Sequence, residues 1–155
     1  MGAVMFREAN RADVPAVVGL LTDDVLGAGR ESAAMSPYLA AFDAIETEPC
    51  NHLIVGERAG RIVATYQITF ISGLSLQASR RAQIEAVRVA SDLRGQGIGQ
   101  ALFADADRRA GAAGCALLQL TTHRARGEAQ AFYDRLGFTA SHIGYKRAVT
   151  PRTED

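Results

Sequence analysis

Apolar and polar positions change their spacing along the chain, and the changes mark out its elements. Ala3 to Arg7 is a short apolar run that predicts an opening strand. Asn10 suits a helix N-cap with Asp13 in the first turn. Val14, Val17, Val18 and Leu21 then recur at helical spacing and form one apolar stripe. Leu26 to Ser36, with Gly27 and Gly29, predicts a loop, and Pro37 to Ile45 a second helix. The pattern then turns β-rich. His52 to Glu57 and Arg61 to Phe70, joined by Arg58, Ala59 and Gly60, predict a hairpin. Gly73 to Ser79 is a polar, small-residue loop, and Arg81 to Ala90 is a third strand.

The remainder alternates: strand, glycine-rich turn, helix, strand, helix, strand. Ile98, Leu102, Ala106 and Ala110 keep one helical face, which Gly111 and Gly114 end. Ala116 to Thr122 predicts a strand and Gly127 to Leu136 a helix, with Gly137 at its C-cap. Ser141 to Val149 closes the order as a strand, and residues 150–155 form a loose tail. Strands that cluster early and alternate with helices late define an α/β or α+β sheet protein.

Composition narrows the function. The 155 residues fit one domain, and 48% hydrophobic with 22% charged residues are globular values. Lysine plus arginine equals aspartate plus glutamate at 17 each, so the basic excess of a nucleic-acid binder is missing. No apolar run is long enough to span a bilayer and no secretory signal pattern opens the chain, so a cytoplasmic protein is expected. Cys50 and Cys115 predict free thiols, and three scattered histidines lack the spacing of a metal site.

The chemistry concentrates at Arg94-Gly95-Gln96-Gly97-Ile98-Gly99, between a strand and an amphipathic helix. Glycines allow close approach of a ligand, and a helix's first turn offers unpaired N–H groups, so this is a cradle for phosphate or pyrophosphate. A dinucleotide fingerprint wants a small residue at Gln100 and a place in the first βα unit; a P-loop wants Gly-Lys-Ser/Thr where Gly99-Gln100-Ala101 stands.

What remains, Arg-x-x-Gly-x-Gly after Val87-Arg88-Val89, resembles the pyrophosphate motif of the GNAT superfamily of acyl-CoA-dependent N-acyltransferases. Downstream, Ala129-Gln130-Ala131-Phe132-Tyr133-Asp134-Arg135-Leu136-Gly137-Phe138 is similar to the superfamily's Ala-x-x-Phe-Tyr-x-x-x-Gly-Phe helix and turn. One helix and one strand separate the two motifs, as in that family. The resemblance covers residues 81–147. It implies one GNAT-fold domain over residues 1–149. Its sheet would be mixed and mostly antiparallel, of about six to seven strands flanked by about four helices. A splayed strand pair would hold CoA.

By the same resemblance, acetyl-CoA is the cosubstrate and a small-molecule or peptide amine the acceptor, with no metal and no membrane or nucleic-acid partner; homodimers are common in the superfamily. Val87, Arg88 and Val89 would carry the pantetheine arm, with the Val89 N–H towards the thioester carbonyl. Arg94, Gly95, Gln96, Gly97, Ile98, Gly99 and Gln100 would wrap the pyrophosphate. Glu85 is the expected base, since strand alternation puts it on one face with Val87 and Val89; the structural alternative is a strand glutamate paired with Arg81 or Arg88. Tyr133 would protonate the leaving sulfur; the alternative is a core aromatic on the stripe Ala129, Phe132, Tyr133, Leu136.

Arg126 stands where many relatives carry asparagine, and is either a phosphate ligand or a solvated loop charge. His123, His142 and Tyr145 are weaker candidates for the acceptor pocket. Asp23, Asp24, Glu31, Asp43, Glu46 and Glu48 form an acidic region that would suit a cationic acceptor, or else solvated helix faces. One other class competes, a non-catalytic acyl-CoA-binding sensor or interaction module; a dinucleotide-binding domain fails on Gln100 and on element order.

Overall fold

Alternating apolar residues build a sheet in the first of two compact units, Met1–Leu120 and Thr121–Asp155, seen in a computed structural model of the protein. The structure describes residues 2–23, 29, 31 and 34–151. Leu26 and Gly27 of the expected loop, Asp24 of the acidic region, and residues 152–155 of the tail lie outside the described residues.

Strands β1 (Met5–Glu8), β2 (Asn51–Arg58), β3 (Arg61–Ile71), β4 (Arg81–Val89) and β5 (Leu117–Leu120) form one sheet in sequence order. Every pairing is antiparallel except β4 with β5. The fold is the mixed, mostly antiparallel α+β arrangement expected, with five strands among the described residues rather than six or seven. Ala59 and Gly60, both at positive φ, close the β2–β3 hairpin as a two-residue turn.

The segment Ser141 to Val149 is not a strand. Residues 139–151 have no regular structure, and 141–149 are exposed throughout. A strand needs a neighbour to take its backbone hydrogen bonds, and the described residues of the second unit contain no strand to pair with.

Helices α1 (Val14–Thr22) and α2 (Ser36–Thr47) pack on one sheet face and α4 (Ile98–Ala112) on the other; α3 (Ser75–Ala78) is a single turn in the β3–β4 connection. Asn10 caps the entry to α1 in a reciprocal box, its side chain accepting from Ala12 N–H while Asp13 accepts from Asn10 N–H. Val14, Val17, Val18 and Leu20 are buried, so Leu20 takes the place expected of Leu21. Val14 and Val18 meet Phe42 of α2 over Leu53.

On the opposite face Ile98, Leu102, Ala106 and Ala110 of α4 are all buried, as their spacing predicts. They share that face with a polar network built on two buried groups, Tyr66 and Asp105. The Tyr66 hydroxyl donates to Asp105 at 2.6 Å, and Arg109 and Arg108 donate to the same carboxylate. Burial pushes the Asp105 carboxyl up, but the hydrogen bonds from Tyr66, Arg109 and Arg108 outweigh it and hold the group below the usual carboxylate range. Burial, then the carboxylate, raise the Tyr66 phenol.

In the second unit α5 (Gly127–Arg135) ends at Leu136 in a Schellman arrangement. Phe138 N–H donates to Tyr133 C=O and Gly137 N–H to Asp134 C=O, with Gly137 at φ 86°. Rings of Tyr133 and Phe138 meet edge-on at 5.9 Å, the apolar contact that accompanies this cap. No helix among the described residues is long and apolar enough to cross a membrane.

Candidate active site

The glycine turn begins where β4 ends. A short 3-10 turn, Ser91–Leu93, leads into Arg94, and Gly97 (φ 80°, ψ 0°) is the N-cap of α4. That left-handed conformation is open to glycine at almost no cost, and Gly95 shares it at φ 75°. Gly97 has no side chain with which to cap the helix. The first bond into the turn is Ala101 N–H to Gly97 C=O. Among the described residues nothing accepts from the N–H groups of Ile98, Gly99 and Gln100. Gly95, Gln96, Gly97 and Gln100 are exposed. Unpaired N–H groups, the positive helix end and an open approach together suit an anion of pyrophosphate size.

Side chains from three elements brace this turn. The Asp23 carboxylate accepts from the Ser91 N–H at 2.9 Å and the Ser91 hydroxyl at 3.0 Å, which lower it below its ordinary range. Arg94 donates to the Asp23 carbonyl at 3.1 Å, Arg58 to the Gln96 side chain at 3.3 Å, and Arg61 pairs with Asp92. Asp23 is thus a brace of the turn rather than free acidic surface. Asp43 pairs with Arg11, Glu31 accepts from Tyr38, and Glu48 accepts from Asn51, so several other acids of that region are also engaged.

Strand β4 carries the second part of the site. Its parallel ladder with β5 stops at Ile84 and Leu120, while β4 runs on to Val89. Ala90 N–H donates to Val63 of β3 at 2.8 Å. Successive N–H groups of a strand point to opposite edges, so the Val89 N–H points to the edge that the β5 ladder has left.

The register corrects one expectation. Gln67 pairs with Glu85 and Thr65 with Arg88, so Ala86 and Val87 together oppose the single residue Tyr66. Ala86 has φ 52°, a left-handed conformation in mid-strand. This β-bulge shifts the alternation by one. Paired residues share a face: Ala82, Ile84 and Val89 lie with Phe70, Ile68 and Ala64, while Arg81, Gln83, Glu85 and Arg88 lie with Ile71, Thr69, Gln67 and Thr65. Glu85 and Val89 are therefore on opposite faces, and uninterrupted alternation does not hold between them. No glycine marks the bulge, so nothing in the sequence announced it.

Glu85 is exposed and has no hydrogen-bond or ion-pair partner among the described residues. Arg88 donates to the Val87 carbonyl at 2.8 Å. The alternative of a structural strand ion pair with Arg81 or Arg88 is thus not what the structure holds. Around Glu85 lies a polar tract that the sequence reading passed over. Gln119 donates to Gln83 at 2.7 Å across β4 and β5, and Gln67 to Asn51 at 2.8 Å across β2 and β3. The available signal was the alternation Arg81, Gln83, Glu85 against Ala82, Ile84.

The remaining candidates belong to the second unit. Ala129, Phe132, Tyr133 and Leu136 are half-buried on one stripe of α5, and the Tyr133 ring lies 5.7 Å from that of Phe132. Arg126 is the N-cap residue of α5, its N–H donating to His123 C=O. His123 is exposed, and its Nδ1 accepts from Ala125 N–H at 3.2 Å, so the ring closes a local turn. His142 bonds to Ser141, and Tyr145 is almost fully exposed.

A helix N-terminus with unpaired N–H groups thus stands beside a strand whose ladder on one side has ended. A model of the GNAT acetyltransferase family matches residues 18–138, and the chain belongs to that family. An aminoalkylphosphonate N-acetyltransferase from Salmonella typhimurium is 27% identical over 92% of this chain and 90% of its own. The crystal structure of a protein described as a transcriptional regulator from Bacillus halodurans superposes with TM-score 0.91 at 44% identity, covering 95% of this chain and all of that one. A putative acetyltransferase from Agrobacterium tumefaciens follows at TM-score 0.84 and 27% identity, over 94% and 99% of the two chains.

Proposed function

We propose that the protein is an N-acetyltransferase that moves an acetyl group from acetyl-CoA to a primary amine by direct attack in a ternary complex. The observation that carries this reading is the combination of the unpaired N–H groups of Ile98, Gly99 and Gln100 with the β4 edge that β5 leaves. Acetyl-CoA, when bound, supplies the activated acetyl thioester. The amides of Gly95, Gln96, Gly97, Ile98, Gly99 and Gln100 bind pyrophosphate, and Arg94, held by Asp23, adds positive charge. Backbone groups of Val87, Arg88 and Val89 position the pantetheine arm, and the Val89 N–H stabilises the negative charge that develops on the carbonyl oxygen.

Glu85 takes the proton that the amine must lose before or during attack. Because Glu85 pairs with Gln67 on the α1/α2 face, the amine approaches from that face while the thioester lies along the strand edge. Tyr133 donates a proton to the departing sulfur, and Arg126 binds phosphate. The Salmonella relative's name supports an amine acceptor of small size.

A screen of amines for release of free CoA tests the reading, run beside a thermal titration with acetyl-CoA. Acetyl-CoA should raise the melting temperature, and at least one amine should be acetylated. Full turnover by Tyr133→Phe across pH would remove its role as acid. The name of the Bacillus halodurans neighbour favours a second reading, an acyl-CoA-binding sensor without catalysis. Stabilisation by acetyl-CoA with no amine acetylated would select that one.

A further inference from the structure

The polar face of β4 has an organisation that the transfer chemistry alone does not require. Arg81, Gln83 and Glu85 follow one another on it, paired with Ile71, Thr69 and Gln67 of β3. Gln83 is bridged to Gln119 at 2.7 Å; Gln67 at 2.8 Å and Thr69 at 3.4 Å are both tied to Asn51. These mutual bonds fix a floor of amides and hydroxyls that is half-buried, whereas Ala82, Ile84, Tyr66 and Ile68 on the other face are sealed. A charge stands at each end of the floor. Neither Glu85 nor Arg81 has a hydrogen-bond or ion-pair partner among the described residues.

The two charges do not neutralise each other. Four residues of strand separate their Cα atoms by roughly 13 Å. The Arg81 guanidinium also rests against Gly73, where a Cβ would come within 3.3 Å of Nη1, at the end of the strip away from Glu85. A cation and an anion facing one polar strip, too far apart to pair, align a ligand of opposite polarity along it. A guanidinium binds carboxylate or phosphate groups through two parallel hydrogen bonds.

We propose that the acceptor is an amine that also bears an anionic group, lying extended along this strip with its amine at Glu85 and its anion at Arg81. The inference rests on the proposed amine transfer and names its substrate class. It makes Arg81 a specificity-determining residue.

The test compares ε-aminocaproate with its neutral amide at saturating acetyl-CoA, with γ-aminobutyrate and ω-aminocaprylate as shorter and longer tails, and phosphate-tailed amines as a second anion. The wild-type protein should prefer the anionic acceptor by about tenfold or more in kcat/KM, the worth of one charge-assisted contact. In Arg81→Gln that ratio should collapse towards one, with the loss carried by KM, and Arg81→Lys should restore part of it. Equal use of acid and amide by the wild type, or an equal loss on both in Arg81→Gln with the melting temperature kept, overturns the inference alone. Acetylation of no amine at all, with acetyl-CoA still bound, overturns the proposed function and the inference with it.

Discussion

The two faces of β3 and β4 are built from the same strands and have opposite characters. Towards α4 the face is Ala64, Tyr66, Ile68, Ala82 and Ile84, all at most 1% exposed. Its polar atoms form a closed network in which Tyr66 and Asp105 satisfy each other and two arginines complete the carboxylate. Towards α1 and α2 the face at the same level is Gln67, Thr69, Arg81, Gln83 and Glu85, half-buried or exposed, with its end charges unpaired. Polar groups that complete one another lock a fold. Polar groups held in place but left with bonding capacity facing solvent are what a ligand site requires.

Substitutions can break this contrast in order of expected effect. Ile84→Ala, on the sealed face, should cost about 2–5 kcal/mol of stability, because the cavity it leaves cannot fill with water; chemical denaturation checks it. Asp105→Ala strands Arg109 and the Tyr66 hydroxyl in the interior and should cost about 3 kcal/mol. A comparable change on the open face, Gln83→Ala, should cost less than about 1 kcal/mol, since water replaces the lost partner. A loss at Gln83 equal to that at Asp105 would erase the distinction.

Acid should also weaken the fold. Folding lowers the carboxyl of Asp105, and Arg7 lowers that of Asp13, each below its unfolded value of about 3.9. Such a group stabilises the fold fully above its unfolded pKa, and the contribution is lost as pH falls through the lower folded value. The melting temperature should therefore fall below about pH 4, and Asp105→Ala should flatten that slope. A small effect on stability is also expected at the turn. Gly97→Ala forces a side chain into φ 80° at about 1 kcal/mol, and acetyl-CoA affinity should drop with it.

Local rules made much of this visible in the sequence. The α4 stripe, the Asn10 cap, the Ala59–Gly60 hairpin and the Gly137 cap each follow from spacing or from a residue suited to its conformation. Three features were hidden for physical reasons. The bulge sits at Ala86, which takes a left-handed backbone without being glycine, so the face of Val89 was misjudged. Asp105 lies beside Ala106 on an apolar stripe, and only the sheet brings Tyr66 to it. Ser141 to Val149 has strand composition, but pairing is a property of neighbours, not of the segment.

Glu85 joins these observations, because it is the charge the open face leaves free next to the strand edge. The most direct measurement is the rate at which wild type and Glu85→Gln convert a primary-amine mixture to N-acetylated products, counted by mass spectrometry at saturating acetyl-CoA, with acetyl-CoA affinity measured on the same samples. Loss of the base should lower turnover about 10²–10⁴-fold with affinity kept. Equal rates in the two proteins would contradict the assignment, and an absence of product from both would contradict the transferase itself.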